Sequence, residues 1–418
     1  MACVGYYIRG TLNEASQIAS SALVVRPLVS FSPPNTASVW LQWGRYKAED
    51  SIYGTDANNA SIFLPLETLW AGTRRWKLNV SNQPTLASMI GDAEPGFPNM
   101  GTQEALTDFC TSVFQFDVNT KNYLTIYGHG GPPNIGFLSL LETFNFDLLA
   151  RLVGAQKKKF NSPDVDHRYR DRTSPMTLLE VGNALRKAVP NSAKFDVLFL
   201  SQCLMATLET AYEYREVTRY FVASQPLLSV ASWNHTALLE LLCSDHQPNE
   251  VIEKFLSVYK SGLKTNDDYS ALVVTDMKIV DALVFALKQL VLAVLEEKNP
   301  ALIKAVAAAR GALESQFLVD RQLGLIDLVQ FLNCVRSKFN AIQVATFDGL
   351  IDAVASRVQA SVQVASHASK FSGMSIVFPW TDQSNKVIGV WDSYRQDCSF
   401  GTEHSWWPDF VNIVIQHR

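Results

Sequence analysis

The sequence predicts an α/β protein: a doubly wound, mostly parallel sheet flanked by helices, with a mostly helical elaboration towards the C-terminus. Three observations predict it. Short β-branched and aromatic runs at Tyr123 to Tyr127 and Phe195 to Leu200 are bounded by polar or glycine-rich turns, as strands buried on both faces should be. Helical stripes lie between the strand-like runs, and strand–helix–strand–helix order favours parallel pairing through crossovers. After about residue 275 the apolar spacing becomes helical.

Val4 to Arg9 and Ser38 to Trp43 read as further strands. Gly101 to Phe114 carries Ala105, Leu106, Phe109, Cys110 and Val113 on one helical stripe, with Thr102 as N-cap. Ser174-Pro175 is expected to open a second helix whose apolar side holds Leu178, Leu179, Val181, Leu185 and Val189. Val280, Leu283, Val284, Leu287, Leu290, Val291, Val294 and Leu295 follow helical spacing, and further helices are expected near 300–316, 325–337 and 347–361. A final strand, Gly373 to Phe378, stops at Pro379, followed by an aromatic tail with Trp380, Trp391, Trp406, Trp407 and Phe410. No Pro/Gly/Ser linker or internal repeat divides the chain. The expected organisation is an α/β domain over 1–275, with 276–418 packed on it and returning a strand near 373–378.

Composition narrows the function classes. Of the 418 residues 47% are hydrophobic and only 18% charged, the balance of a well-buried globular protein. A formal net charge of −4 gives no electrostatic case for nucleic acid or an anionic membrane. The stretch from Ala282 to Leu295 is interrupted by Lys288 and Gln289 and is too short to span a bilayer. The first residues lack a basic segment followed by an apolar run, so a cytoplasmic location is expected. The six cysteines are scattered, with no C-x-x-C pair and no metal-ligand spacing.

One constellation carries chemistry. His129 follows Tyr123-Leu-Thr-Ile-Tyr-Gly and precedes Gly130-Gly131, while Cys203 follows Phe195-Asp-Val-Leu-Phe-Leu-Ser-Gln. In open parallel sheets, ligands bind at the carboxyl ends of strands, so adjacent strands would bring together side chains 74 positions apart. A thiol must ionise to attack a carbonyl, and a neighbouring imidazole takes its proton and later hands one to the leaving amine. The glycines after His129 leave the Gly130 N–H free to approach a developing oxyanion, with the Cys203 N–H as second donor. Taken singly, His129 would be a turn residue and Cys203 a buried thiol; their joint placement after two strands favours the catalytic reading.

At these residues the chain resembles the clostripain-like cysteine peptidases of the caspase–haemoglobinase fold. The similar block is Ser201-Gln202-Cys203-Leu204-Met205, followed by Glu209-Thr-Ala-Tyr212-Glu213 and Tyr220-Phe-Val-Ala-Ser224. It continues through Ser232-Trp233-Asn234, Tyr269 to Asp276, Leu325 to Phe331 and Gly373 to Pro379. The resemblance implies a caspase-like catalytic domain and peptide-bond hydrolysis through a thioester acyl-enzyme on a Cys-His dyad. Cys203 is then the nucleophile, His129 the acid and base, and Gly130 with Cys203 the oxyanion hole. It also implies a substrate-binding surface containing Ser201, Gln202, Ser224 and Trp233. Protein or peptide substrates are the implied partners, with neither nucleic acid nor membrane. No cofactor is required for the chemistry, although some relatives use calcium, for which Asp164, Asp166 and Asp171 are candidates without calcium-loop spacing.

One departure bears on specificity. The family usually carries Asp two residues before the nucleophile, helping to select Arg or Lys at P1; here Ser201 stands there, and Gln225 to Thr236 contains no acid. A hydroxyl offers a cation only a neutral hydrogen bond, so the family's basic preference is weakened. Relatives are often zymogens cut between the histidine and cysteine blocks, where 156–172 holds Lys157 to Lys159 and Arg168 to Arg172. That segment is either a processing site for an activating protease or a plain solvated loop. Combined with the cytoplasmic expectation, this suggests a regulated protease of a stress or defence pathway. Glu209 is expected to make structural hydrogen bonds. An esterase reading of His129-Gly-Gly fails for want of a G-x-S-x-G elbow, and the seven histidines show no H-E-x-x-H. The remaining alternative is a pseudoprotease serving as a protein-binding scaffold.

Overall fold

The computed structural model describes residues 1–10, 24–25, 28, 31–45, 51–55, 61–65, 72–78, 94–95, 100–128, 130, 176–190, 192–226, 228, 233–263, 270–314, 324–342, 344–367, 371–379 and 394–417. Its strands are β1 (Ala2–Gly10), β2 (Ala37–Arg45), β3 (Ser51–Thr55), β4 (Ser61–Pro65), β5 (Gly72–Leu78), β6 (Glu94–Pro95), β7 (Lys121–Tyr127), β8 (Phe195–Ser201), β9 (Thr218–Ser224), β10 (Leu272–Asp276), β11 (Leu325–Asp327), β12 (Val362–Ala365) and β13 (Ser375–Val377). Nine of them form one sheet in the order β12-β10-β9-β8-β7-β1-β2-β5-β6, and β3–β4 and β11–β13 form two small ribbons.

The centre of the sheet is parallel: β9-β8-β7-β1-β2. Both margins are antiparallel, with β10 and β12 on one side and β5 and β6 on the other. β8 is buried along its whole length, which explains its uninterrupted apolar run. The chain leaves β1 to one side for β2 and returns to the other side for β7, so the order reverses at β1.

Helices cover both faces. On one lie α1 (Gln103–Val113), α2 (Leu178–Ala188) and α3 (Leu208–Tyr214). On the other lie α4 (His235–Leu242) and α5 (Pro248–Gly262). The Thr102 side chain accepts from the Ala105 N–H, and the predicted stripe from Ala105 to Val113 is buried. α2 departs from expectation at its start. Ser174-Pro175 lies outside the described residues, and the helix opens at Leu178 with a reciprocal Thr177–Glu180 capping box.

The C-terminal half adds α6 (Val280–Glu296), α7 (Pro300–Glu314), α8 (Leu328–Ala341), α9 (Asp348–Ser361), α10 (Ser399–Glu403) and α11 (Trp406–Gln416) to the α1 face. One sequence expectation is corrected here, and another, a strand near 373–378, is borne out with shorter bounds. The helix expected over 325–337 begins only at Leu328, because Leu325 and Ile326 pair with Val377 and Ile376. The strand expected at 373–378 is Ser375–Val377 and joins β11, whereas Val362–Ala365 is what the region contributes to the main sheet. β11 and β12 are three- and four-residue strands selected by tertiary partners rather than by local pattern. Trp407 is fully buried and its indole N–H donates to the Val377 carbonyl at 2.8 Å; Trp380 and Trp391 lie outside the described residues. Among the described residues, no helix is long and apolar enough to cross a membrane.

α3 anchors this addition through Glu209, whose carboxylate accepts from the Val377 N–H at 2.9 Å and the Tyr394 hydroxyl at 3.0 Å, as expected of a structural residue. Burial is the main cause that raises its carboxyl from 4.5 to about 7, against the pull of those donors. The folded protein therefore retains a proton that the unfolded chain releases across this window. Stability from the group is fully present below pH 4.5 and is lost as pH rises through about 7. The shift corresponds to ~3 kcal/mol at ~1.4 kcal/mol per pH unit. Urea unfolding of Glu209→Gln against wild type should show the variant gaining about 2–3 kcal/mol relative to wild type between pH 5 and 8. A pH-independent difference would refute it.

Candidate active site

The register between β7 and β8 sets the geometry. Tyr123 pairs with Val197 and Tyr127 with Ser201, so the two strands end level with one another. The Gly128 N–H then reaches the Ser201 carbonyl at 3.5 Å, extending the pairing one residue. His129 lies outside the described residues. Its neighbour Gly130 is buried directly on the Cys203 turn: a Cβ there would stand 2.3 Å from the Cys203 carbonyl oxygen and 3.0 Å from its nitrogen. Only glycine permits that approach. The backbones carrying the two candidate oxyanion donors are thus in contact at the ends of adjacent parallel strands.

Cys203 is half-buried, and its thiol meets the backbone of Leu228. The Leu228 N–H donates to Sγ at 3.2 Å, and the Leu228 carbonyl lies 3.7 Å from Sγ. Burial pushes the Cys203 thiol above its ordinary value, while the Leu228 N–H pulls it back down. A nucleophilic role for this thiol would require a base to take its proton.

The turn after Cys203 is unusual. Leu204 has φ of 60°, in the left-handed region that costs a non-glycine residue of order 1–3 kcal/mol. Outside contacts hold it there. The Leu204 N–H donates to the Pro226 carbonyl at 3.1 Å, and the Ala206 N–H donates to the Ser224 carbonyl at 3.0 Å. On its other side, the Ala206 carbonyl accepts from the Ser375 N–H at 3.0 Å. The turn is clamped between the exit of β9 and the start of β13.

The structure gathers Gly130, Ser201, Gln202, Cys203 and Ser224 around this turn. Ser201 and Gln202 are buried at the end of β8. The Ser224 hydroxyl donates towards the Pro226 and Ala271 carbonyls, at 3.0 and 3.2 Å. Trp233 is placed differently. It is buried on the α4 face, its ring against Phe199, Phe255 and His235, whereas Cys203 packs on the opposite apolar layer. Its place is that of a core aromatic, because the strand ends separate the two layers. Asp164, Asp166, Asp171 and the whole 156–172 segment lie outside the described residues. Among the described residues, no three metal-ligating side chains cluster.

Sequence reasoning missed Pro226 and Leu228, which act through their backbones and leave no side-chain signal. It also missed Gln225, Asp327 and Ser375 as neighbours of the turn. The segments holding Asp327 and Ser375 carry a helical and a strand pattern and resemble the clostripain-like blocks, but nothing local in them points to the turn.

Comparison with known proteins decides the family. Residues 169–413 match the model of the clostripain family, peptidase C11. The chain belongs to that family. It is accordingly a cysteine peptidase, and its fold is that of solved relatives. One is the secreted C11 cysteine protease iotapain from Bacteroides thetaiotaomicron, 14% identical over 97% of each chain, with a TM-score of 0.52. A structure of a secreted C11 protease from the same organism with an irreversible peptide inhibitor is 13% identical over 98% of each chain, at 0.50. An inactive zymogen C11 protease from Parabacteroides distasonis is 15% identical over 98% of this chain and 97% of its own, also at 0.50. No curated protein matches the chain. At these identities the solved structures establish the shared architecture, and the family membership rests on the sequence match.

Proposed function

We propose that the chain is an endopeptidase working through a His129–Cys203 dyad and a thioester acyl-enzyme. The observation that carries this reading is the packing of Gly130 on the Cys203 backbone, at the ends of two strands in matched register. The His129 imidazole takes the Cys203 proton as sulfur attacks the scissile carbonyl. The Gly130 and Cys203 N–H groups receive the oxyanion. The imidazolium then protonates the departing amine, leaving the acyl group on sulfur, and water activated by the same imidazole hydrolyses the thioester.

The substrate wall supports an uncharged P1 side chain in preference to the Arg or Lys implied by resemblance. Ser201, Gln202 and Ser224 are neutral, and the buried Asp327 is already engaged by Gln225, Gln330 and Ser372. With no free carboxylate among these described residues, desolvating a cationic side chain against them has no compensation. Activating cleavage within 156–172 would then fall to a separate protease that cuts after Lys or Arg. The segment's basic residues support this, as does a relative described as an inactive zymogen.

A P1-diverse peptide library tests both parts. Uncharged P1 residues are expected to be cut at least about tenfold faster than Arg or Lys, with Ser201→Asp narrowing that ratio by about tenfold. A strong wild-type preference for Arg or Lys would overturn the P1 assignment. A Cys203 thiol inert to a peptidyl electrophile in folded, processed protein would overturn the dyad.

A further inference from the structure

The C-terminal half reaches the Cys203 turn through one buried polar network. Asp327 is 2% exposed, and its two carboxylate oxygens take four donors from three separate segments. Oδ1 accepts from the Gln330 N–H at 3.0 Å and the Ser372 hydroxyl at 2.6 Å. Oδ2 accepts from the Ser372 N–H at 2.7 Å and from Gln225 Nε2 at 2.9 Å. Gln225 is itself buried, at the exit of β9, and spends the rest of its amide on β13's approach. Its Nε2 also donates to the Ser375 hydroxyl at 3.1 Å, and its Oε1 accepts from the N–H of Gly373, a residue at φ 96°. Ser375 then donates its own N–H to Ala206, three residues past the nucleophile, while Ser224, the residue before Gln225, accepts the Ala206 N–H.

We infer that Gln225 and Asp327 are a positioning pair that holds the left-handed Leu204 turn and thereby aims the Cys203 thiol. This rests on Cys203 being the nucleophile. The two strands that clamp the turn, β9 and β13, are not paired with each other; within this network the Gln225 side chain spans them and Asp327 fixes its orientation. A left-handed leucine does not hold itself, so loosening the clamp lets the turn relax and moves sulfur out of line with the carbonyl. Buried networks of this kind are stiff because every donor and acceptor has a partner.

The sharpest probe is Gln225→Glu, which keeps shape and the acceptor for Gly373 but replaces the Nε2 donor by an oxygen facing Asp327. Two carboxylates at that separation require a shared proton. The side chains and backbone facing Asp327 among the described residues are Gln225, Gln330 and Ser372, none of which titrates. The new glutamate and Asp327 are thus the pair that sets the pH response.

The experiment measures kcat, KM, the rate of Cys203 alkylation by iodoacetamide and the melting temperature, for wild type, Gln225→Glu and Gln225→Ala. The kcat of Gln225→Glu relative to wild type is expected near one at about pH 5, falling at least tenfold by about pH 8 as the shared proton leaves. KM should stay within about threefold, because the effect lies in aiming rather than binding. Gln225→Ala should lose about 10- to 100-fold in kcat at every pH. If it fails to fold, the isosteric variant decides alone. A kcat ratio flat across pH while the melting temperature alone moves would show a merely structural network and overturn the inference. Wild type that is itself inactive, with an unreactive Cys203, would instead sink the dyad on which it rests.

Discussion

Cys203→Ala should lower kcat by roughly 10⁴-fold or more while leaving the protein folded. Without the sulfur no acyl-enzyme can form, and what remains is the modest acceleration from substrate binding and the Gly130 and Cys203 N–H donors. The cost to stability is small. Cys203 is half-buried, and among the described residues its thiol's hydrogen-bond partners are the backbone N–H and the more distant carbonyl of Leu228, so a change within about 1 kcal/mol is expected. Burst-phase kinetics separates the cases: wild type should release one equivalent of amine product before steady state if deacylation is slow, and the variant none. The intact mass of the variant also tests activation. A Cys203→Ala chain still cut within 156–172 by an added Lys- or Arg-specific protease fits external processing. Residual kcat within tenfold of wild type would remove Cys203 from the chemistry.

Gly130→Ala is expected to reduce kcat by about 10²–10³-fold with less change in KM. The new methyl would lie 2.3 Å from the Cys203 carbonyl oxygen and 2.8 Å from the Gln202 Cβ. The carbonyl is backbone in a turn already clamped on both sides, so it cannot swing away like the end of a flexible side chain. The ends of β7 and β8 must part, at about 1–3 kcal/mol of overpacking, and both oxyanion donors leave their positions together. The diagnostic measurement is affinity for a peptidyl aldehyde, whose tetrahedral adduct uses the oxyanion donors. It should fall in parallel with kcat, whereas alkylation of Cys203 by iodoacetamide should fall much less. An aldehyde affinity unchanged from wild type would refute the oxyanion role of Gly130.

These two predictions concern residues that were visible in the linear chain. β7 and β8 announce themselves because strands buried on both faces must be apolar throughout, and the residues just beyond them are conspicuous by contrast. α1 and its Thr102 cap were equally legible, since the cap and stripe are local interactions within one helix. Visibility ended where the partner lies far along the chain. β11 and β12 have three or four residues each and no distinctive pattern, and β13, legible as a strand, gave no sign of its partner. Asp327 looks like an ordinary helix N-cap, which it is; its other oxygen serves a glutamine 102 residues away. Trp233 illustrates the converse case. A motif placed it on a substrate wall, whereas its ring packs between Phe199 and Phe255, a contact no local pattern announces.

Residue chemistry and chain order were enough to nominate a thiol and an imidazole, each following a strand-like run, and to show that a serine stands where an acid is expected near the proposed nucleophile. The left-handed turn at Leu204, the contact that excludes any side chain at position 130, and the reach of Gln225 to Asp327 were decided by the folded molecule. The division follows from range: periodicity and capping act between residues a few positions apart and are written in the local sequence. The orientation of a reactive turn instead depends on hydrogen bonds closed between segments that only the packed sheet and its C-terminal addition bring together.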